Sequence, residues 1–435
     1  MIVRARTVVT MDGAPIENGA VAIEGEKIVD VGTFDEVKSR NSADVVDLGE
    51  QALLPGLINA HCHLDYTCLR GKIPRQKSFA DWIGAIISEK EKLSPQDYVA
   101  SINEGFAEAK KFGTTTIANL TAFPELISQI RPPIRTWWFA ELIDVRRQLD
   151  RPAGLIALSS QAANAEVVRS PRDAEENLTA LSRRVLDVDE QVDSAVKLLK
   201  RASHWGLAPH APFTASAGLY RRCDEIARRG NVLLATHLAE SREEMEMFSN
   251  SRGPLADFLA RLGRDNSDLH GATPVAHASE FCEFDDRWLL VHLNEIVMDD
   301  LERLLRQKTQ PHIVHCPRSR GYFGHSPFKF GKFRKLGFNI CLGTDSLATN
   351  DDLNLFAEMR AFQRYRPKVS PREILEMVTV NPARALQQEN ALGRIQPGFH
   401  ADLIRVPCTR STSVFEEILN FNGPVDWMMI GGESP

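Results

Sequence analysis

The sequence lacks most of the features that would assign it quickly. Its seven cysteines are an odd number and fall in no Cys-x-x-Cys spacing. They therefore encode neither a disulfide framework nor a thiolate zinc site, and they read as reduced thiols. No apolar run is long enough to cross a bilayer. Residues 1–6, Met-Ile-Val-Arg-Ala-Arg, have no long apolar core of the kind an export signal carries. With the thiols, this sets the expectation of a cytoplasmic protein. Basic charge is not in excess, the formal net charge being -6. That removes nucleic acid and anionic membranes as standing partners and leaves a small molecule. His-Glu-x-x-His and the phosphate-binding Gly-x-x-x-x-Gly-Lys-Ser/Thr are absent, as is the His-x-Glu with Pro-Cys-x-x-Cys of the cytidine-deaminase fold. There is no solenoid-type repeat and no low-complexity tract.

What is present describes a large core. The 435 residues are 43% apolar and 25% charged, ordinary for a soluble globular chain and longer than one compact domain usually is. The first fifty residues are strand-like over 2–10, 20–24 and 27–31, with Asp12-Gly13, Asn18-Gly19 and Glu24-Gly25 as turns. They predict a small antiparallel sheet. From residue 53 to about 380, apolar strand-like runs alternate with longer segments of helical spacing. Strands are expected at 53–60, 114–120, 135–142, 206–210, 232–237, 288–292, 313–316 and 338–344. Eight strands alternating with helices predict a closed parallel (β/α)8 barrel of TIM type.

Two stretches look added to it. Residues 67–93 carry Phe79, Trp82, Ile83, Ile86 and Ile87 at helical spacing, a packing stripe or a pocket wall. Residues 144–200 are long and polar, an outer helical excursion or a homo-oligomer contact. After the barrel, 390–404 and 427–430 return to turn-and-strand chemistry. The chain is thus expected to divide into 1–52 and 386–435, which together form a small β-sandwich domain, and 53–385, the metal-dependent barrel.

Polar residues at the ends of the expected strands carry the chemistry, because those ends converge on one face of a barrel. His61 and His63 follow strand one. Residues i and i+2 of an extended chain point to the same side, so both imidazoles can aim at one point. Neutral imidazole is the commonest metal ligand. Alone, His-x-His could equally be two polar loop residues. His237 ends strand five and Asp345 ends strand eight. Three nitrogens and one oxygen make a sensible set for one catalytic divalent cation, which would acidify a water near neutral pH. Zinc suits this set, and iron is accepted by it as well.

Glu240 stands three residues after His237, on the same side of a helix if one begins there. It can shuttle protons beside the metal, the alternative being a glutamate that merely offsets a helix dipole. His292 ends strand six and can polarise water or substrate, or it can be a core histidine. His210 ends strand four and suits a substrate contact, and His315, near the end of strand seven, is a further candidate.

With these residues placed, the chain resembles the amidohydrolase superfamily and, within it, the cytosine-deaminase-like branch. The resemblance rests on Pro-Gly-Leu-Ile-Asn-Ala-His61-Cys-His63, Ala-Pro-His210-Ala-Pro-Phe-Thr, Thr-His237-Leu-Ala-Glu240-Ser, Val-His292-Leu and Leu-Gly-Thr-Asp345-Ser346, in that order. It implies one metal on His61, His63, His237 and Asp345, with Glu240 as proton shuttle and His292 as a water-orienting partner. Binuclear members use a carboxylated lysine at the end of strand four, where this chain has Pro209-His210.

The motifs around His210 and His237 are similar to deaminases of S-adenosylhomocysteine or methylthioadenosine. Those around Leu64–Gly71, with Phe79 and Trp82, are similar to aminodeoxyfutalosine deaminases. The expectation is hydrolytic deamination of an aromatic amine on an adenine-nucleoside-like substrate. Substrate contacts are expected from His210, Arg70, Trp82, His315, Ser319 and Ser346, with 320–325 shaping the pocket. The same site could instead displace chloride or open a cyclic amide. A reading of another class is a barrel that has lost catalysis and serves as a binding scaffold.

Overall fold

The computed structural model describes residues 1–144, 187–409 and 413–433. Most of the expected 144–200 excursion lies outside the described residues, and its last part is the helix Val188–Leu199.

Five strands precede the barrel: β1 (Ile2–Val8), β2 (Ile16–Glu24), β3 (Lys27–Thr33), β4 (Val45–Asp47) and β5 (Gln51–Pro55). The barrel strands are β6 (Leu57–His63), β7 (Thr114–Thr121), β8 (Arg135–Leu142), β9 (His204–Pro209), β10 (Leu233–Leu238), β11 (Trp288–His292), β12 (His312–His315), β13 (Ile340–Leu342) and β14 (Asp345–Ser346). They are followed by β15 (Leu403–Pro407) and β16 (Met428–Met429). Strands from both chain ends share a seven-stranded sheet in the order β16-β15-β5-β1-β2-β3, with β4 beside β1.

The second sheet is parallel and runs β13-β12-β11-β10-β9-β8-β7-β6-β14. β13 and β14 are two pieces of the eighth strand. One pairs with β12 and the other with β6, so the sheet curls until its last strand meets its first. Asn59 ties that seam: its Nδ2 donates to Thr344 Oγ1 at 2.8 Å and its Oδ1 accepts from the Thr344 N–H at 3.2 Å. Helices lie between the strands with polar N-caps. Ser78, Ser216 and Ser241, for example, each accept an N–H of the first turn.

The single strand expected over 53–60 is two strands. Gln51–Pro55 belongs to the small sheet, pairing with β15, and Leu57–His63 opens the barrel. Gly56 makes the break. A Cβ there would stand 2.2 Å from the Thr115 side chain, and its N–H donates to Asp402 O at 2.8 Å. The apolar run 52–58 hid this, because a buried strand on either sheet looks the same from composition.

Alternation along the strands fills the barrel. Ile58, Ala60, Ala118, Leu120, Trp137, Phe139, Leu233, Ala235, Leu289 and Val291 form one inner cluster. Their neighbours Leu57, Ile117, Trp138, Leu234 and Leu290 pack outward, against the helices.

Candidate metal-dependent active site

Three devices turn this alternation into a site. On β6 the register against β7 shifts between Asn59 and Cys62. Ala60 faces the inner cluster but Cys62 joins the outer one, so the faces exchange and His61 and His63 point inward. On β8, β9 and β10 plain alternation suffices: Glu141 follows Phe139, His210 follows Ala208, and His237 follows Ala235. On β11 alternation alone would send His292 outward with Trp288 and Leu290. Its backbone instead takes φ 78°, and the ring turns to within 6.0 Å of His61 and 5.4 Å of His237 between centroids. Ala239 and Asp345 also hold positive φ, at 49° and 58°. Non-glycine residues rarely adopt this region, and such strain gathers where geometry serves function.

His61, His63, His237 and Asp345 do meet. His61 Nε2 is 3.7 Å from Asp345 Oδ1, and His63 Nε2 is 3.9 Å from the same oxygen. His63 Nε2 and His237 Nε2 face each other at 3.2 Å. Among the described residues, ligand-capable groups gather as His61–His63–Asp345, His61–His237–His292, His63–Glu141–His237 and His292–Cys316–Asp345. His237 Nδ1 lies 3.0 Å from the His210 carbonyl, to which it donates, which leaves its Nε2 as a lone pair. His63 Nδ1 is 3.7 Å from Glu141 Oε1. Burial first, then the neighbouring histidines, keeps His63 well below its ordinary pKa and therefore neutral. Both ring nitrogens of His61 are buried without a hydrogen-bond partner. Facing lone pairs and an unpartnered imidazole beside a carboxylate are what a bound cation satisfies, so these residues fit a metal.

Asp345 is held in place by two hydrogen bonds. Ser319 Oγ donates to its Oδ2 at 2.6 Å and the Ser346 N–H to its Oδ1 at 2.8 Å. Burial would raise its carboxyl, but His61, His292 and His63 hold it well below the usual range. Glu240 is not on a helix, contrary to the i, i+3 expectation. β10 ends at Leu238, the chain turns at Ala239, and the next helix runs from Arg242 to Asn250. Glu244 Oε2 accepts the Glu240 N–H at 2.7 Å, and Asn294 Nδ2 donates to the Glu240 carbonyl at 3.1 Å. The Glu240 carboxylate faces His292 Nε2 at 3.7 Å. Burial raises its pKa, and the same burial lowers His292 to about 4.

The expected substrate contacts are dispersed. His210 is at the site, its Nδ1 2.6 Å from Thr214 Oγ1 and its ring 4.9 Å from that of His237. Trp82 stacks on Phe79 and lines a cavity of about 200 Å³ together with Phe323 and His325. Ser319 and Ser346 are on Asp345. The contacts of Arg70 and His315 lie elsewhere. Arg70 pairs with Glu108, and the His315 ring stacks on Phe328 with centroids 4.1 Å apart. One residue of the site, Glu141, is missed by the sequence reading, although a lone acid near the end of an apolar strand is a signal. His325, in the 320–325 stretch expected to shape the pocket, lies 3.7 Å from Glu240 Oε1, a pairing that the sequence does not show.

Fold and site together define a barrel hydrolase with a metal-type centre at its C-terminal strand ends. A model of the amidohydrolase family matches residues 52–434, and the chain belongs to that family. A bacterial imidazolonepropionase-like composite domain also matches residues 19–41. The chain is 27% identical over 398 residues to a 5-methylthioadenosine/S-adenosylhomocysteine deaminase of Thermoanaerobacter pseudethanolicus, covering 89% of this chain and 80% of that one. In fold it is similar to the aminofutalosine deaminase of Helicobacter pylori in complex with methylthio-coformycin, with TM-score 0.78, 21% identity and coverage of 100% and 99%. It is likewise similar to the atrazine chlorohydrolase of Arthrobacter aurescens complexed with zinc, with TM-score 0.77, 19% identity and coverage of 100% and 94%. The family, with deaminases among these relatives, makes it a hydrolase of carbon–nitrogen bonds. Among the described residues, no helix is long and apolar enough to cross a membrane.

Proposed function

We propose that this hydrolase deaminates an aromatic amine on an adenine-nucleoside-like substrate. His61, His63, His237 and Asp345 would hold one divalent cation, zinc in our reading. Such an ion supplies an acidified water and an electrophile for developing negative charge. The protein's own groups do the rest. Glu240 gives a proton to the ring nitrogen beside the carbon that bears the amine. Asp345 takes a proton from the attacking water and passes it to the departing amine. His292, neutral because it is buried, hydrogen-bonds the new oxygen. One carbon–oxygen bond forms, one carbon–nitrogen bond breaks, the proton of the new hydroxyl returns to Glu240, water is consumed and ammonia leaves. His210, Trp82, Arg70, His315, Ser319 and Ser346 remain the substrate contacts to test. Of these, His210 and Trp82 are favoured by position.

The observation that carries this reading is the buried Glu240 carboxylate, faced among the described residues by the imidazoles of His292 and His325. A carboxyl whose pKa burial raises is suited to giving a proton to the ring nitrogen beside the amine-bearing carbon. The likeness to a methylthioadenosine/S-adenosylhomocysteine deaminase over 89% of this chain supports the nucleoside. The test is ammonia release from a panel of adenine and guanine derivatives, halotriazines and cyclic amides, with metal content measured on the same protein. Turnover of halides or lactams alone would replace this reading.

We also read the chain as three segments, 1–52 and 386–435 around a barrel at 53–385, working in the cytoplasm. A second copy of itself is the macromolecular partner to test. The end segments would make a small sandwich, since Val3, Val21, Ile28, Ala401, Leu403 and Met429 share one buried cluster.

A further inference from the structure

No hydrogen bond reaches the Glu240 carboxylate among the described residues, and the facing imidazole nitrogens of His292 and His325 stand 3.7 Å away. The side chain therefore points where its backbone points it. That backbone is a strained turn, with Ala239 at φ 49° although it is not glycine. Every backbone polar group of Ala239 and Glu240 is nevertheless bonded. The two carbonyls are held by the loop after strand six: Ala239 O accepts the Glu295 N–H at 2.9 Å, and Glu240 O accepts from Asn294 Nδ2 at 3.1 Å. The two N–H groups go to one side chain. Ala239 N–H donates to Glu244 Oε1 at 3.1 Å, and Glu240 N–H donates to Glu244 Oε2 at 2.7 Å. Glu244 is fully buried. It is the third residue of the helix Arg242–Asn250, which Ser241 caps. A glutamate there ordinarily bonds the N–H of the cap residue. Glu244 extends that reach by one and two residues, onto the turn that bears Glu240. Its neighbour Glu243 does not share this task, since its oxygens accept the N–H groups of Phe79 and Ala80.

We propose that Glu244 is a positioning residue of the reaction: its carboxyl group clamps the turn at 239–240 and so aims the Glu240 carboxyl at the substrate's ring nitrogen. The inference rests on the deaminase reading, since Glu244 acts through the proton that Glu240 delivers. The peptide plane between Ala239 and Glu240 is pinned on both edges, by Glu244 Oε2 on its N–H and by the Glu295 N–H on its carbonyl. The Glu240 Cβ follows that plane. The second oxygen of Glu244 holds the preceding N–H, so the residue with positive φ is fixed as well. Without these bonds two N–H groups lose their acceptors, and the turn relaxes toward the φ values that alanine prefers. The Glu240 carboxyl then leaves its line to the ring nitrogen. Misplacing a reacting group by about 1 Å can cost about 100-fold in rate. His237 lies on the strand side of the turn, with its Nδ1 bonded to the His210 carbonyl, so the metal-type ligands do not depend on Glu244.

The test is a double-mutant cycle on the metal-loaded full-length chain, with Glu244→Gln, Glu240→Gln and both together. It reads ammonia release from adenosine and 5′-methylthioadenosine. Glutamine keeps one acceptor and sets an NH2 group against the other N–H, donor to donor. In Glu244→Gln, kcat should fall by about 10–100-fold, with KM and metal content within about twofold of the wild type. In the Glu240→Gln background the same change should cost no more than about twofold, because no proton is left to aim. An equal loss in both backgrounds would make Glu244 a merely structural residue and overturn the proposal. If Glu244→Gln fails to fold, hydrogen exchange in the wild type decides. The Ala239 and Glu240 amides should then be protected to the level of the strand Leu233–Leu238, and free exchange would overturn the proposal. No ammonia from the wild type, with these compounds or any other of the adenine and guanine panel, would sink the deaminase reading and this role together. Ammonia from the wild type with kcat unimpaired in Glu244→Gln would sink the role alone.

Discussion

Ser319 Oγ donates to Asp345 Oδ2 at 2.6 Å, and Thr349 Oγ1 in turn donates to Ser319 Oγ at 3.2 Å. A residue of the short helix after one strand and a loop residue after another thus fix one carboxylate oxygen, while the other faces the histidines. Partners of this kind orient a ligand, and losing them typically costs about 10–100-fold in metal affinity or rate. Ser319→Ala should show a loss in that range, in kcat or in metal retained after dialysis, with an unchanged circular dichroism spectrum.

Glu240→Gln removes the proton that the ring nitrogen must receive as the adjacent carbon is attacked. General acid–base groups contribute about 10²–10⁴-fold, so turnover should fall by at least about a hundredfold while metal content stays at the wild-type level. Full activity in this variant would remove Glu240 from the chemistry.

Chelation should abolish ammonia release and lower the melting temperature together, because facing imidazole lone pairs lose the charge that reconciles them. Adding zinc back should restore both. Recovery with iron but not zinc would reassign the ion.

Gly343 stands in the eighth strand, where a Cβ would come within 2.7 Å of the His61 carbonyl. Gly343→Ala should push the seam apart at the first ligand and cost about 1–3 kcal/mol, the usual penalty of overpacking. Thermal melting reads the stability and metal titration reads the displaced ligand.

Glu358 is fully buried and accepts from Arg318 N–H at 3.0 Å and Asn350 Nδ2 at 2.7 Å. Burial raises its pKa from 4.5 to about 8. The folded chain therefore holds this proton over a range where the unfolded chain has released it. That contribution to stability is complete below pH 4.5 and is lost as pH rises toward 8. Glu358→Gln should flatten the fall of melting temperature between about pH 5 and 8. An unchanged slope would place the titration elsewhere.

The strands were legible because each carries a dense apolar run, several with a polar residue at or just past the end, and Arg135–Leu142 and Trp288–His292 fall at their expected bounds. The histidines could be listed, but their directions could not. The inward aim of His61 depends on a register shift and that of His292 on a left-handed backbone, and neither leaves a mark in residue type. Ser319 is expected from sequence to touch substrate, and its hydrogen bond to Asp345 is a further contact that residue type does not reveal. Arg70 was likewise drawn to Glu108 by a contact 38 residues away.

The break at Gly56 has a mechanical result. β15, near the end of the chain, pairs with β5, and one residue later the same backbone becomes the strand that bears His61 and His63. Arg135, at the start of β8, clasps Asp402 at 2.6 Å from the other side. The tail is thus a tether on the leading imidazoles. Clipping it ahead of β15 should loosen the grip on metal long before the barrel itself melts.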